Sequence, residues 1–268
     1  MLKSLFKKIL KSKGYYLSLS DPSGNNKNTQ PLAELIILAR NSILPDLPVD
    51  NNEWRLELLH KLIGTNPTEA LYIIDAISKV SMISGDVCEF GIAQGATSAL
   101  IANELRNGNK KLWLFDSFKG LPKPTDKDKL IDDFFNLGDI HAYEGSMAFD
   151  VYRVKDRLRE ISIDEKNINI VAGFIEETIN NNQLPEQVSF AYVDFDFYEP
   201  IKIALNYLHR VVSAGGIIIV DDYDFFSTGA KTAVDEFMAE YNDTYNLLVP
   251  QKELGHFAVL TKLKPTNV

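Results

Sequence analysis

The sequence predicts a doubly wound α/β fold: a mostly parallel, seven-stranded sheet with helices on both faces and a helical extension at its N-terminus. After residue 85, five short apolar runs alternate with helical segments, and such runs are typical of parallel strands buried on both faces. Two further apolar runs near the C-terminus, joined by a polar turn, indicate an antiparallel pair. In a fold of this kind, ligands bind at the carboxyl ends of the strands.

The elements follow in order along the chain. Residues 14–30 are rich in glycine, serine and asparagine and predict a linker, whereas residues 31–84 have helical spacing and predict a cap of two or three helices. Strands are predicted at 86–91, 111–116, 168–173, 188–196 and 215–222, and the closing pair at 245–250 and 256–263. The helices between them are predicted at 96–107, 146–160, 199–212 and 229–241. We therefore expect three parts: residues 1–30, 31–84 and 85–268, the last with a lid-like insertion at about 117–160.

Composition excludes several classes of function. The chain has 268 residues and a net charge of −9, which argues against nucleic acid as a partner because phosphate binding needs a basic face. A lone cysteine, Cys88, excludes an internal disulfide and a cysteine-based zinc cluster. It lies in an apolar run and is expected to be a buried small hydrophobe rather than a reactive thiol. These features suit a reducing cytoplasm.

The N-terminal residues 1–14 predict a basic amphipathic helix, with lysines around an apolar face formed by Leu2, Leu5, Phe6, Ile9 and Leu10. Lys7 and Lys8 interrupt the apolar core that a secretory signal would need. Such a helix is suited to peripheral contact with an anionic membrane surface or a partner. The alternative is a frayed helix, or one that packs between the subunits of an expected homo-oligomer.

A glycine-containing turn follows the first predicted strand and opens a helix. Glycines let the backbone approach a ligand closely, and a helix N-terminus offers unpaired N–H groups. The candidate ligand-binding residues here are Glu89, Gly91, Gln94, Gly95, Thr97 and Ser98. A tight turn without a ligand is the alternative, and the absence of the three-glycine dinucleotide fingerprint argues against a dehydrogenase.

Two further strand ends carry groups suited to a nucleoside. Asp116 ends the second strand, 25 residues after Gly91, where a carboxylate can accept hydrogen bonds from both ribose hydroxyls. The next residue, Ser117, is a further candidate for cofactor binding. Alternatively, Asp116 caps the turn that begins at Ser117. The third strand ends in Gly173-Phe174. Three adjacent strand ends are therefore expected to bind one nucleoside-like cofactor.

Acidic residues follow the fourth and fifth strands, which are expected to be neighbours. They are Asp194, Asp196, Asp221 and Asp222. Crowded carboxylates repel and raise one another's pKa unless a cation neutralises them, and oxygen-only ligands favour Mg²⁺, Ca²⁺ or Mn²⁺. The alternative is that some of them cap helices or pair with Lys202 or Lys231.

Taken in this order, the motifs resemble those of the macrocin O-methyltransferase family, class I S-adenosylmethionine-dependent enzymes that act on sugars of macrolides and related natural products. The matching stretches are 89–97, 116–122, 173–178, 194–198 and 215–223, with 233–237 resembling the family's Ala-Val-Asp-x-Phe helix. Thr97 stands where the family usually has serine, and Phe195 replaces a small residue. The first 30 residues match nothing in the family pattern.

The resemblance implies a Rossmann-like methyltransferase fold, S-adenosylmethionine as the cofactor and a sugar hydroxyl as the acceptor. It implies that Asp194, Asp221 and Asp222 bind a divalent metal, expected to be Mg²⁺. A metal on the acceptor oxygen would lower the pKa of that hydroxyl and fix its geometry. Asp196 is then the first candidate for general base, and His141, in the lid-like insertion, is the second.

Two alternatives remain open at this point. In a catechol-type O-methyltransferase the metal would chelate two phenolic oxygens. In a non-catalytic nucleoside-binding module the acidic residues would have no chemical role.

Overall fold

The computed structural model describes residues 30–50, 54–181 and 183–264. The predicted basic helix and nearly all of the linker lie outside these ranges, so membrane contact through residues 1–14 stays a prediction. Within the described ranges, no helix combines the length and apolar character needed to cross a membrane.

Seven strands form one sheet in the order β3-β2-β1-β4-β5-β7-β6. Their bounds are β1 Asp86–Phe90, β2 Leu112–Asp116, β3 Ile168–Ala172, β4 Val188–Val193, β5 Val212–Val220, β6 Tyr245–Leu248 and β7 Ala258–Lys262. Strands β1 to β5 are parallel, and β7 pairs antiparallel with both β5 and β6. This confirms the predicted sheet. The chain leaves β1 for β2 on one side and returns to β4 on the other, so the crevice for ligands lies above β1.

Helices cover both faces of the sheet. They are α1 Gln30–Ser42, α2 Arg55–His60, α3 Pro67–Lys79, α4 Ala96–Glu104, α5 Val151–Glu160, α6 Ile175–Asn181, α7 Tyr198–Val211 and α8 Thr228–Tyr241. Helices α7 and α8 pack on one face around Cys88 and Phe90, and α3, α4 and α5 pack on the other around Leu114 and Tyr192. All six residues of β4 are buried, which explains why the strand is apolar except at Ser189.

Several elements differ from the prediction, and three of the differences have a clear physical reason. Strand β4 ends at Val193, so the acidic residues after it lie in a loop. Helix α5 begins at Val151, where the Asp150 side chain accepts a hydrogen bond from the Tyr152 N–H and caps the helix. Helix α6 was not predicted, because seven residues are too few to show a helical period.

The insertion after β2 is packed over the carboxyl edge of the sheet. Its Leu121, Ile140 and Tyr143 form a cluster with Phe197 and Phe226, which lie in the loops after β4 and β5. Tyr143 is fully buried and donates a hydrogen bond of 2.7 Å to Asp133. The insertion thus covers the crevice in which the predicted site residues lie.

Candidate active site

A cavity of about 480 Å³ opens between the carboxyl ends of the strands and the insertion. It is lined by most of the predicted site residues: Glu89, Gly91, Gln94, Thr97, Asp116, Ser117, Gly173, Phe174, Asp194, Asp196, Asp221 and Asp222. The structure therefore brings the candidate cofactor residues and the acidic residues into one space, with the glycine turn between them.

Three predicted site residues do not line this cavity. Gly95 is the N-cap of α4 with a φ of 76°, and a Cβ there would lie 3.0 Å from the Val154 side chain, so it serves a close helix packing. Ser98 is fully buried beneath the turn. His141 is exposed, because the turn Ile140–Tyr143 directs its two apolar residues inward. Of the two candidate bases, only Asp196 faces the cavity.

The glycine turn depends on a close approach between two strand ends. Gly91 has a φ of 81°, and a Cβ on it would lie 1.7 Å from the carbonyl oxygen of Asp194. Any side chain at this position would push the ends of β1 and β4 apart. Gly91 therefore fixes the distance between the candidate cofactor site and the acidic loop.

Asp116 ties the end of β2 to the glycine turn. Its Oδ2 accepts hydrogen bonds from the N–H groups of Ile92 and Ala93, at 2.9 and 3.1 Å. Its Oδ1 accepts one from the Phe118 N–H at 2.7 Å. The bond to the Phe118 N–H shows that Asp116 caps the turn that begins at Ser117. Since each carboxylate oxygen has two lone pairs, Asp116 can cap the turn and still accept from a ligand.

Glu89 is a buried acid at the floor of the cavity. Its burial raises the pKa of the carboxyl from 4.5 to about 8, with a further rise from the charge of Asp116 and an opposing effect from the Ser98 hydrogen bond. One carboxyl oxygen, Oε2, is buried without a hydrogen-bond partner among the described residues. A cationic group placed above it would restore the charged form.

This burial predicts a pH-dependent effect of the substitution Glu89→Gln. The folded protein without cofactor holds a proton on Glu89 that the unfolded chain releases, so the contribution of Glu89 to stability is lost as pH rises from about 4.5 through 8. Glutamine does not titrate. Relative to the wild type, we expect Glu89→Gln to raise the free energy of unfolding increasingly from about pH 4.5 to 8, by up to about 5 kcal/mol, and the melting temperature to rise with it. Thermal melts from pH 5 to 9 test this, with the exposed Glu160→Gln as the control. A difference that does not vary with pH would contradict the assignment.

Three carboxylates converge at the other end of the cavity. One oxygen each from Asp194, Asp196 and Asp222 lie within 4.8 Å of one another, a spacing that could hold a metal ion. Burial raises the pKa of Asp194 well above its usual range, and the charges of Asp221 and Asp222 raise it further. Burial and neighbouring carboxylates likewise raise the pKa values of Asp196 and Asp222. Together these groups form an oxygen-only donor set that a hard cation would neutralise.

Asp221 lies beside this group with different contacts. Its Oδ2 accepts a hydrogen bond of 2.6 Å from the buried Tyr192 hydroxyl, and its Oδ1 accepts one of 2.8 Å from the Asp222 N–H. The sequence suggested Asp221 as the third metal ligand beside Asp194 and Asp222. In the structure, the carboxylate that converges with these two is that of Asp196. Asp221 can still bind a ligand through a remaining oxygen lone pair.

The backbone around the acidic residues is held in an unusual conformation. Asp196 and Asp222 have φ values of 61° and 55°, in a left-handed region that costs most residues roughly 1–3 kcal/mol. Aspartate tolerates it better than most side chains. The Ser227 hydroxyl donates a hydrogen bond of 2.9 Å to the Asp196 carbonyl, and the Asp194 N–H donates one of 2.7 Å to Phe90. These contacts turn the carboxylates toward one another.

A fifth carboxylate, Glu69, was missed from the sequence. It lies in the first turn of α3, is 2% exposed, and shares a hydrogen bond with Asp221. Burial and the charges of Asp221, Asp194 and Asp222 raise its pKa well above the usual range. The available signal was its helical spacing to the buried Ile73 and Ala76, which places Glu69 on the apolar face of the helix. The helical cap thus contributes to the acidic end of the site.

Aromatic and aliphatic side chains form the remaining wall of the cavity. They are Ile63, Leu121, Phe134, Phe135, Met147, Phe149, Phe195 and Phe225. Phe195 packs edge-on against Phe90, with ring centroids 6.0 Å apart. Thr65 and Thr97 share a hydrogen bond of 2.6 Å that joins the cap to the first turn of α4. The acidic cluster therefore faces a largely apolar chamber.

A comparison with known families identifies the kind of site. Residues 49–259, which include the whole cavity lining, match the model of the macrocin O-methyltransferase (TylF) family. The chain belongs to the macrocin O-methyltransferase family. It is therefore an S-adenosylmethionine-dependent O-methyltransferase of a family that modifies sugars and natural products, as the motifs indicated.

Individual relatives support this membership at low identity. The chain is 25% identical over 199 residues to demethyldecarbamoylnovobiocin O-methyltransferase from Streptomyces niveus, covering 72% of this chain and 73% of that one. It is 26% identical over 172 residues to mycinamicin III 3''-O-methyltransferase from Micromonospora griseorubida, covering 62% and 63%.

Solved structures of methyltransferases share the fold. The O-methyltransferase NovP superposes with a TM-score of 0.64 at 20% identity, covering 88% of this chain and 100% of that one. The calicheamicin methyltransferase CalS11 superposes with a TM-score of 0.60 at 24% identity, covering 87% and 90%. The predicted Rossmann-like methyltransferase fold is confirmed.

Proposed function

We propose that this enzyme transfers the methyl group of S-adenosylmethionine to a hydroxyl of a sugar, carried on a natural product or a glycan, with the help of a divalent cation, most simply Mg²⁺. The observation that carries the proposal is the single cavity that joins the glycine turn and Asp116 to the cluster of Asp194, Asp196 and Asp222. The proposal is supported by relatives named as O-methyltransferases of demethyldecarbamoylnovobiocin, of mycinamicin III and of a rhamnosyl-tetracenomycin.

The cofactor is proposed to lie across the ends of β1, β2 and β3. Asp116 would accept a hydrogen bond from a ribose hydroxyl, and Gly91 and Gln94 would border the methionine part of the cofactor. Phe174, at the end of β3, would pack against the adenine ring. Glu89 would lie near the cofactor ammonium, whose charge would favour ionisation of the carboxyl. This placement directs the sulfonium methyl toward the acidic end of the cavity.

The cation is proposed to bind Asp194, Asp221 and Asp222. The residues fit such an ion: their oxygens are hard donors, burial raises the pKa of all three carboxyls, and neighbouring carboxylates raise the pKa values of Asp194 and Asp222 further. When bound, the ion would lower the pKa of the acceptor hydroxyl.

The chain itself would position the acceptor and take up its proton. Asp196 is the proposed base, because it lines the cavity and its backbone is held in place by Ser227. The apolar wall formed by residues such as Phe134 and Phe135 would exclude water from the methyl group and border the non-sugar part of the acceptor.

The experiment is transfer of labelled methyl from S-adenosylmethionine to a panel of glycosides, with and without a chelator. We expect transfer to stop when EDTA is present and to return with excess Mg²⁺, while calorimetry shows unchanged affinity for S-adenosylhomocysteine. Full activity in EDTA would contradict the role of the metal.

The variant Asp196→Asn separates the roles of base and ligand. A base is needed for transfer and not for cation binding, so we expect turnover to fall with Mn²⁺ affinity retained, as measured by electron paramagnetic resonance. If Mn²⁺ affinity falls together with turnover, Asp196 belongs to the ligand set instead.

A further inference from the structure

One buried carboxylate, Asp128, joins the insertion to the acidic end of the site and has no part in the proposed chemistry. It is 3% exposed. Its Oδ1 accepts a hydrogen bond of 2.7 Å from the Tyr198 N–H. Its Oδ2 accepts bonds of 2.7 Å from both the N–H and the hydroxyl of Thr125. Both oxygens are therefore occupied by donors from two separate parts of the chain.

The contact to Tyr198 caps a helix from a distant part of the sequence. Tyr198 is the first residue of α7, and the N-cap residue Phe197 offers no side-chain acceptor. Asp128 supplies that acceptor across 70 positions of sequence. A carboxylate at a helix N-terminus pairs an otherwise unpaired N–H group and interacts favourably with the helix dipole. The capped residue lies two positions after Asp196.

Residues 125–131, which include Asp128, also form hydrogen bonds to the start of α8. The Thr228 hydroxyl donates to the carbonyl of Lys127 at 2.6 Å and accepts from the N–H of Lys129 at 2.9 Å. The Ile131 N–H donates to the carbonyl of Phe226 at 2.9 Å. These contacts fix the end of the loop that begins with Asp222. Residues 125–131 thus hold the downstream ends of both acidic loops.

The Asp128 carboxylate lies in a space that is open only because Gly229 has no side chain. A Cβ at this position, in the first turn of α8, would lie 2.0 Å from Asp128 Oδ1 and 2.6 Å from the Tyr198 N. Alanine is ordinarily better than glycine in a helix. The close approach gives a specific reason for glycine at this position, and it offers a second way to displace the carboxylate without replacing it.

We propose that Asp128 is a positioning residue that holds Asp196 and Asp222 in their metal-binding and proton-accepting arrangement by capping α7 from the insertion. This inference rests on the proposed function. Asp128 caps the helix after the first acidic loop and also bonds to Thr125, in the segment 125–131 that contacts the end of the second acidic loop. The cofactor groups, in contrast, lie at the ends of β1, β2 and β3. The loss of Asp128 should therefore weaken cation binding and leave cofactor binding intact.

The test compares Asp128→Asn and Asp128→Ala with the wild type by Mn²⁺ titration and by calorimetry with S-adenosylhomocysteine. We expect Mn²⁺ affinity to fall at least about tenfold in Asp128→Ala, the equivalent of about 1.4 kcal/mol, with cofactor affinity within twofold. Asp128→Asn should lie between, because an amide oxygen can still accept from Tyr198 but the amide NH₂ opposes the Thr125 N–H. Asp75→Asn, another buried aspartate, on α3, is the control and should leave Mn²⁺ affinity unchanged. Should Asp128→Ala not fold, Asp128→Asn carries the test.

Gly229→Ala provides the second, independent perturbation and should weaken Mn²⁺ in the same direction. Hydrogen–deuterium exchange is measured without metal or cofactor. The backbone amides of Tyr198, Lys129 and Ile131 should exchange faster in Asp128→Asn and in Gly229→Ala than in the wild type, and those of β1 and α4 should exchange at the same rate. Unchanged Mn²⁺ affinity in Asp128→Asn and Gly229→Ala, or an equal loss of cofactor affinity, would overturn the inference. A wild type that binds no Mn²⁺ would instead contradict the proposed metal, and the exchange at Tyr198 would still decide whether Asp128 clamps the two loops.

Discussion

Replacing Asp222 with asparagine is expected to lower methyl transfer by about a thousandfold or more while cofactor affinity stays within twofold. The carboxylate belongs to the converging group of three, and losing a metal ligand removes several kcal/mol of stabilisation at the reacting oxygen. Asparagine is the appropriate substitution, because the φ of 55° at this position would strain alanine and thus confuse a loss of charge with a change of backbone.

The matched control for Asp222→Asn is Asp156→Asn, whose side chain is 67% exposed on α5. We expect this variant to retain full activity and cation affinity. Transfer rates from labelled S-adenosylmethionine, together with Mn²⁺ titrations of each variant, make the comparison. An active Asp222→Asn enzyme with normal Mn²⁺ affinity would contradict the assignment of the acidic end as a metal site.

Replacing Asp116 with alanine is expected to weaken S-adenosylhomocysteine binding by about a hundredfold or more. Hydrogen bonds to a charged group contribute about 1.5–3 kcal/mol each, and Asp116 is proposed to accept one from the ribose through the remaining lone pair of Oδ1. The same substitution also leaves the N–H groups of Ile92 and Ala93 without their acceptor. The glycine turn would then lose part of the support that shapes the cofactor site.

Asp86→Ala is a close control for Asp116→Ala, because the Asp86 carboxylate, at the start of β1, also joins β1 to β2. It accepts hydrogen bonds from the Lys111 N–H and the Trp113 ring N–H, at 3.0 and 2.9 Å, at the opposite edge of the sheet. We expect it to lower stability without changing cofactor affinity. Equal cofactor affinities for wild type and Asp116→Ala, measured by calorimetry, would refute the ribose assignment.

The sheet and the placement of both ends of the site were predictable from the sequence. Buried parallel strands need apolar side chains on both faces, so β4 is apolar except at Ser189 and β5 ends in the run Ile-Ile-Ile-Val. Because the carboxyl ends of parallel strands meet at one edge, the residues that follow them had to gather there. Asp116 and Asp194 were found in this way. The seven strands follow the expected order along the chain.

The remaining parts of the site depend on contacts that no local pattern reports. Glu69 looks like an ordinary acid in a helical first turn, and only the packing of α3 against the sheet directs it to Asp221. Asp128 lies in a polar run and caps a helix 70 residues away. His141 was a candidate because of its residue type, whereas the burial of Ile140 and Tyr143 turns it outward. In each case, tertiary packing decided the direction of the side chain.

The most direct test of a joint cofactor and metal site is a crystal of the full chain grown with S-adenosylhomocysteine and Mn²⁺, measured at a wavelength that gives anomalous signal from manganese. We expect one strong anomalous peak bound by Asp194 and its neighbours Asp221 and Asp222, and a cofactor with its ribose on Asp116 and its sulfur facing the metal. A cofactor bound in this way with no anomalous peak at the acidic cluster, or with the peak elsewhere, would contradict the account.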